Sequence, residues 1–173
     1  MAQKLRVPMG FVIAAAVLYF AQPTAFSLLI GLPIALLGAV FRALAAGVIR
    51  KDATLATSGI YALTRNPLYF GSFLLTSGFA IMSASGVAAV LLLAPFALIY
   101  PSVIRSEEAH LEALFPEEFR RYKDKVPGFV PRLTFRFPPS FAFSQYLANR
   151  EYNTALGLAA ALAIFVMKLK SSM

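Results

Sequence analysis

Arg65, Asn66 and Pro67 stand at the head of an apolar run in the stretch TSGIYALTRNPLYFGSFLL, with Gly59 and Tyr61 just before them and Tyr69 just after. Asn is favoured at the cap of a helix, and Pro suits the first helical position because its missing N–H has no partner to lose there. A cap explains the Asn–Pro pair. It does not call for an Arg at the mouth of an apolar segment, nor for the tyrosines around it. Open N–H groups at a helix start beside a guanidinium form a natural site for an anion.

The second group with chemical potential is in RSEEAHLEALFPEEFRRYKDKVPGFVPRL, Arg105 to Leu133. At about 100° per residue, Ile104, Leu111, Leu114 and Phe115 fall on one stripe of a helix, and Glu107 and Glu108 lie within about 60° of its centre. Carboxylates at membrane depth cost on the order of 2.5–3.5 kcal/mol and are therefore paired or functional. Arg105 and Arg42 are the cations within reach as structural partners. Otherwise Arg42, inside an apolar run, snorkels. Glu112 and His110 sit off the stripe as solvated positions. Since His110 is the sole His and there is no Cys, no metal site is expected. Beyond Pro116, EEFRRYKDK reads as a short amphipathic helix with acids in its first turn and cations after them. Phe119 and Tyr122, one turn apart, face the bilayer or a pocket.

The elements that must carry these groups are membrane helices. Of 173 residues 59% are hydrophobic and only 14% charged, and the mean hydropathy is +0.71, far above a soluble domain. Apolar runs cover Val7–Ala21, Ala25–Gly47, Leu68–Ala84, Gly86–Ile104 and Asn153–Met167. With roughly 20 apolar residues needed to span, the second and fourth suffice comfortably and the others are short. The expected fold is all-α, a polytopic bundle of four to five transmembrane spans in a single membrane domain, 1–173. An uncleaved first span at about 7–21 precedes a core at about 36–133, and a C-terminal helix covers about 153–169. That last helix crosses, re-enters or lies in the interface.

The formal charge of +8 would suggest nucleic acid in a soluble protein, but its placement argues for a membrane surface. Arg50, Lys51, Arg105, Arg120, Arg121, Lys123, Lys125, Arg132 and Arg136 follow the second and fourth runs, whereas the turns near Gln22 and Ser83 carry no charge. The positive-inside rule then puts these segments and the N-terminus, with Lys4 and Arg6, in the cytoplasm. The segment PPSFAF, Pro138 to Phe143, reads as an interfacial loop.

Taken together, GIYALTRNPLYFG, the two glutamates after the next hairpin and the tail FPEEFRRYKDKVPGFVP resemble the isoprenylcysteine carboxyl methyltransferase and phospholipid methyltransferase family of integral membrane enzymes. The likeness extends over approximately Leu36 to Leu133. It implies S-adenosylmethionine as methyl donor in a cytoplasmic pocket, a lipid-like or isoprenylcysteine-type acceptor entering from the bilayer, and no nucleic-acid partner. Carried over by residue, Gly59, Tyr61, Arg65, Asn66, Pro67, Tyr69, Glu107, Glu108 and Tyr122 match cofactor-binding positions. Arg65, Asn66, Glu108, Arg120 and Arg121 are the expected catalytic set, with Arg120 or Arg121 positioning a carboxylate acceptor. Glu107 or Glu108 is expected to take the donor's ammonium, Arg65 or the helix start its carboxylate, and Tyr61 or Tyr69 its sulfonium or adenine. The eukaryotic carboxyl methyltransferases carry His where this chain has Asn66, so that position cannot titrate here. Two competing readings are a nicotinamide-dependent reductase of the sterol reductase type and a non-catalytic protein that binds anionic lipid.

Overall fold

A computed structural model describes residues 12–50, 53–132 and 141–171, and everything described is helix, turn or irregular chain with no strand. Helix α1 covers 12–20 and α2 Ala25–Ala46. A 3-10 helix, Gly59–Ala62, leads to α3, Pro67–Met82. Then come α4, Gly86–Leu114; α5, Pro116–Lys125; α6, Phe143–Ala148; and α7, Tyr152–Ser171. Among the described residues three helices are long and apolar enough to cross a membrane, namely α2, α4 and α7, and α3 is a shorter apolar helix. The first five residues of the expected first span, Lys4 and Arg6, Lys51, Arg136 and the first half of PPSFAF lie outside the described residues.

Helices α2 and α3 pack most closely, and small residues are the reason. Gly31, Ala35 and Gly38 of α2 meet Gly71 and Gly78 of α3, so a Cβ added at Gly38 would lie 2.5 Å from the Leu75 nitrogen and 2.6 Å from the Gly71 oxygen. Lipid chains are as apolar as the side chains, so close backbone approach and not hydrophobic burial drives such pairs. The far ends of the hairpins are tied together. Thr24 and Ser27 form a capping box at the start of α2, the Ser27 hydroxyl also donates to the Met82 carbonyl at 3.1 Å, and the Gln22 N–H donates to the Ser83 carbonyl at 2.7 Å.

At 29 residues α4 is about 43 Å long, more than the roughly 30 Å of a hydrocarbon core, so its last turns project past it. Among its residues only Ala88 is buried, while Val90, Leu98 and Ile99 face outward, as suits a helix bathed in lipid.

Helix α7 packs along the bundle and is long and apolar enough to cross a membrane. Its Leu158 and Phe165 join Ala21, Ala35 and Met82 in a buried cluster. At its start Glu151 meets Arg42 of α2, and near its end the Lys168 ammonium donates to the carbonyls of Leu18 at 2.6 Å and Tyr19 at 3.1 Å, at the end of α1.

Candidate functional site

The corner between the 3-10 helix and α3 is built first by backbone. Gly59 has φ 59°, a left-handed conformation that a side chain would strain, and this turn sends Tyr61 inward to 6% exposure. The chain after α5 is then stitched to the corner. The Arg65 N–H donates to the Pro127 carbonyl at 2.9 Å, the Arg132 N–H to the Leu63 carbonyl at 3.0 Å, and the buried Thr64 hydroxyl to the Phe129 carbonyl at 2.9 Å.

Onto this frame the Arg65 guanidinium lies as a fork. Its Nε and Nη2 donate to the two oxygens of Glu108 at 3.0 and 3.2 Å, and its Nη1 donates to the carbonyls of Val126 at 2.8 Å and Lys123 at 3.1 Å. Asn66 Nδ2 donates to Glu108 Oε1 at 2.9 Å and to the Gly128 carbonyl at 2.8 Å. Asn66 therefore occupies the cap position of α3, with Pro67 first in the helix, but its side chain makes no cap bond. Asn66 holds the cap position without the cap bond because Nδ2, fixed by Glu108 and the Gly128 carbonyl, sets the amide in an orientation in which Oδ1 accepts nothing from the first turn of α3. The consequence is that the first amides of α3, at Leu68 and Tyr69, have no side-chain cap.

The two adjacent glutamates divide the labour. Glu108 organises the corner, while Glu107 Oε2 accepts only the Tyr69 hydroxyl, at 2.6 Å, among the described residues. Beneath them the Tyr122 hydroxyl donates to the Tyr61 carbonyl at 2.6 Å, and Phe119, Tyr122 and Val126 pack with Leu55 and Leu111. Burial pushes the phenol of Tyr61 well above its ordinary range, with Tyr122 and Glu107 adding to the effect. Burial likewise raises Tyr122, against the opposing pull of Arg65.

These groups border a cavity of about 600 Å³. Of the residues expected at the site, Tyr61, Arg65, Asn66, Pro67, Tyr69, Glu107, Glu108 and Tyr122 all line it. Gly59 does not; it is the turn that aims Tyr61. Arg120 and Arg121 are exposed and off the lining, since Phe119 and Tyr122 take the inner face of α5, and Arg121 Nε donates only to the Glu117 carbonyl at 3.2 Å. Their expected role in positioning an acceptor is therefore not supported by where they stand. Leu114, expected on the apolar stripe of α4, is 44% exposed because the helix ends there with nothing packed over it. His110 is exposed but borders the cavity.

Arg42 pairs with neither Glu107 nor Glu108. Its Nε and Nη2 donate to both oxygens of Glu151 at 2.7 and 2.9 Å, and its Nη1 donates to the Ser72 hydroxyl at 2.6 Å. Arg42, Ser72 and Glu151 line the cavity, as do Tyr100 and Asn149. Sequence reasoning missed Ser72, Tyr100, Asn149 and Glu151. The one available signal was an isolated Glu at the mouth of the last apolar run, opposite in charge to the Arg inside the second. Among the described residues no group of three or more metal-ligating side chains converges.

Apolar helices, a cavity at one end of the bundle and a paired carboxylate–guanidinium corner describe an all-helical protein of membrane character. Residues 13–118 match the phospholipid methyltransferase family, and the chain belongs to that family. It is 50% identical over 86 residues to the cobalt-zinc-cadmium resistance protein of Cupriavidus metallidurans, a stretch covering 49% of this chain and 39% of that protein. It is 44% identical over 85 residues to the nickel-cobalt-cadmium resistance protein of Alcaligenes xylosoxydans xylosoxydans, again 49% of this chain and 39% of the relative. The protein-S-isoprenylcysteine O-methyltransferase of Schizosaccharomyces pombe is 32% identical over 94 residues, 54% of this chain and 40% of that enzyme. The matches thus span about two fifths of these relatives' own length. No solved structure matches.

Proposed function

We propose that this chain, a single membrane domain over 1–173, is a methyltransferase that binds S-adenosylmethionine in the cavity and methylates a lipid-like acceptor. The observation that carries the reading is Glu107, a carboxylate on the cavity wall whose one hydrogen-bond partner among the described residues is a neutral phenol, beside the uncapped start of α3. A volume of about 600 Å³ lies within the roughly 300–1,000 Å³ of small-molecule sites.

Glu107 receives the donor's ammonium. The open amides of Leu68 and Tyr69, with the charge of Arg65 behind them, receive its carboxylate. The rings of Tyr61, Tyr69 and Tyr122 provide faces for a cation or an adenine. S-adenosylmethionine brings a methyl group already activated on sulfur, so the chain's task is to align the two reactants and exclude water. Such positioning supplies roughly 7–11 kcal/mol in favourable cases. Arg65, Asn66 and Glu108 act by fixing the corner. The basic segments after the second and fourth apolar runs favour, by the positive-inside rule, a cytoplasmic cavity and N-terminus in a bundle of four or five spans.

Isothermal titration of S-adenosylhomocysteine into the protein in lipid nanodiscs tests the reading. Binding is expected, and Glu107→Gln should weaken it by about a hundredfold, as loss of a desolvated charge pair does. Well-folded protein that takes up no heat refutes it.

A further inference from the structure

The Arg42–Ser72–Glu151 cluster is a second charged feature of the cavity and is unused by the donor-binding reading. Its geometry is that of a filled anion site. Both oxygens of Glu151 receive the fork of Arg42, and the remaining guanidinium nitrogen is taken by Ser72, whose own hydroxyl donates to the Leu68 carbonyl at 2.9 Å. The Glu151 side chain is 9% exposed and that of Arg42 24%.

The carboxylate is held there by its backbone. Asn149 Nδ2 donates to the carbonyls of Ala46 at 2.8 Å and Ile49 at 3.2 Å, docking the α6–α7 turn on the end of α2. Arg150, the next residue, has φ 54°, a left-handed conformation that a non-glycine residue adopts only under such constraint. Ala142 is anchored alongside through its N–H to the Gly47 carbonyl at 2.9 Å. Ala142, Asn149, Arg150 and Glu151 lie beyond residue 118, past the stretch that matches the family, while Arg42, Ser72 and the Ala46, Gly47 and Ile49 carbonyls lie within it.

We propose that Glu151 is a specificity-determining residue: by occupying Arg42 it closes the acceptor end of the cavity to ligands whose polar group is a carboxylate. This rests on the methyltransferase reading, because it takes the ligand on that wall to be the acceptor. At Arg42 an incoming carboxylate must either displace Glu151, leaving a nearly buried charge without its cation, or sit beside it as a like charge; the other arginine on that part of the lining, Arg50, is exposed, where solvent and salt screen its attraction. Either outcome at Arg42 weakens binding by about tenfold or more. An acceptor of the same shape without the negative charge pays neither cost.

The test uses one prenylated amphiphile in two forms, N-acetyl-S-farnesylcysteine and its methyl ester, titrated into nanodisc-embedded protein saturated with S-adenosylhomocysteine. The prior uptake of S-adenosylhomocysteine is read separately, so failure there sinks the methyltransferase reading, while the acid–ester comparison addresses Glu151 alone. In the wild-type protein the ester is expected to bind about tenfold more tightly than the acid. In Glu151→Gln, which keeps the shape and removes the charge, the acid gains about tenfold or more and the ester changes by less than about threefold. The proposal is overturned if the wild type binds the acid as well as the ester or binds neither. It is also overturned if a Glu151→Gln protein with normal S-adenosylhomocysteine affinity shows no gain for the acid. The wild-type comparison stands even if the variant does not fold.

Discussion

Replacing Glu108 by Gln separates a residue that builds the corner from one that meets the ligand. Glu108 accepts three bonds from charged or amide donors, at 3.0 and 3.2 Å from Arg65 and 2.9 Å from Asn66, and the ion pair's side chains are only 13% and 17% exposed. Gln keeps one acceptor oxygen but turns an NH₂ toward a guanidinium or an amide, placing donor against donor. Breaking one partner of such a buried pair costs about 3–5 kcal/mol. For a chain of this size about 1 kcal/mol moves the thermal midpoint by roughly 2–4 °C, so Glu108→Gln should lower it by about 6–20 °C. Glu107→Gln forfeits only the bond from the Tyr69 hydroxyl, about 1.5–3 kcal/mol at most because the acceptor is charged. Its midpoint should fall by no more than about 12 °C while S-adenosylhomocysteine binding weakens about a hundredfold. Differential scanning fluorimetry in nanodiscs, paired with calorimetry on the same samples, reads both quantities. A Glu108→Gln protein with an unchanged midpoint, or a Glu107→Gln protein that binds normally, refutes the division of roles.

Gly38→Ala drives a Cβ to 2.5 Å from the Leu75 nitrogen and should cost about 1–3 kcal/mol or more as α2 and α3 part, whereas Gly157→Ala meets nothing within 4 Å and should gain up to about 1 kcal/mol; thermal midpoints of the two variants check this. Tyr122→Phe loses the 2.6 Å bond to the Tyr61 carbonyl and should cost about 1 kcal/mol, a drop of roughly 2–4 °C in the same assay. Alkaline stability follows from Tyr61 and Tyr122, whose folded-state phenols are raised above the ordinary value of 10.0. Below pH 10 both states are protonated and the two residues add no slope; above it the unfolded chain loses protons that the fold retains, so stability falls as pH rises. Midpoints measured from pH 8 to pH 11 should decline above 10, and the Tyr122→Phe protein should decline less steeply.

The membrane helices, the break at Arg65–Pro67 and the carboxylates beyond the fourth run were legible because each is written in a few adjacent residues. Insertion energetics show in an apolar run, a helix start in Asn–Pro, and a costly charge in its own neighbourhood. The α6–α7 wall was not legible, since Glu151 finds Arg42 across 109 residues and no local pattern states at what depth two helices will meet. Telling Glu107 from Glu108 also required the fold. Neighbours on a helix differ by about 100°, and which one turns to the corner depends on where the loop after α5 is laid. The misplacement of Arg120 and Arg121 was avoidable from residue spacing. Phe119 and Tyr122 three positions apart define the inner face of α5 and leave the two arginines outside it; family likeness, not geometry, had drawn them in.

Two ion pairs bracket the cavity, and each joins elements that sequence separates. Arg65–Glu108 binds the corner before α3 to the end of α4, and Arg42–Glu151 binds α2 to the start of α7. Each pair cancels its own charge, so neither guanidinium presents a free cation to a ligand. What remains on the lining is the charge of Glu107, softened by one phenol, the positive ends of uncapped amides at the start of α3, and the exposed Arg50 toward the solvent side. A ligand that answers this arrangement carries a cation and an anion a few bonds apart, which is the amino-acid end of the proposed donor. By the same logic a purely anionic ligand gains little from Arg42 or Arg65, because the chain has already spent both on carboxylates of its own.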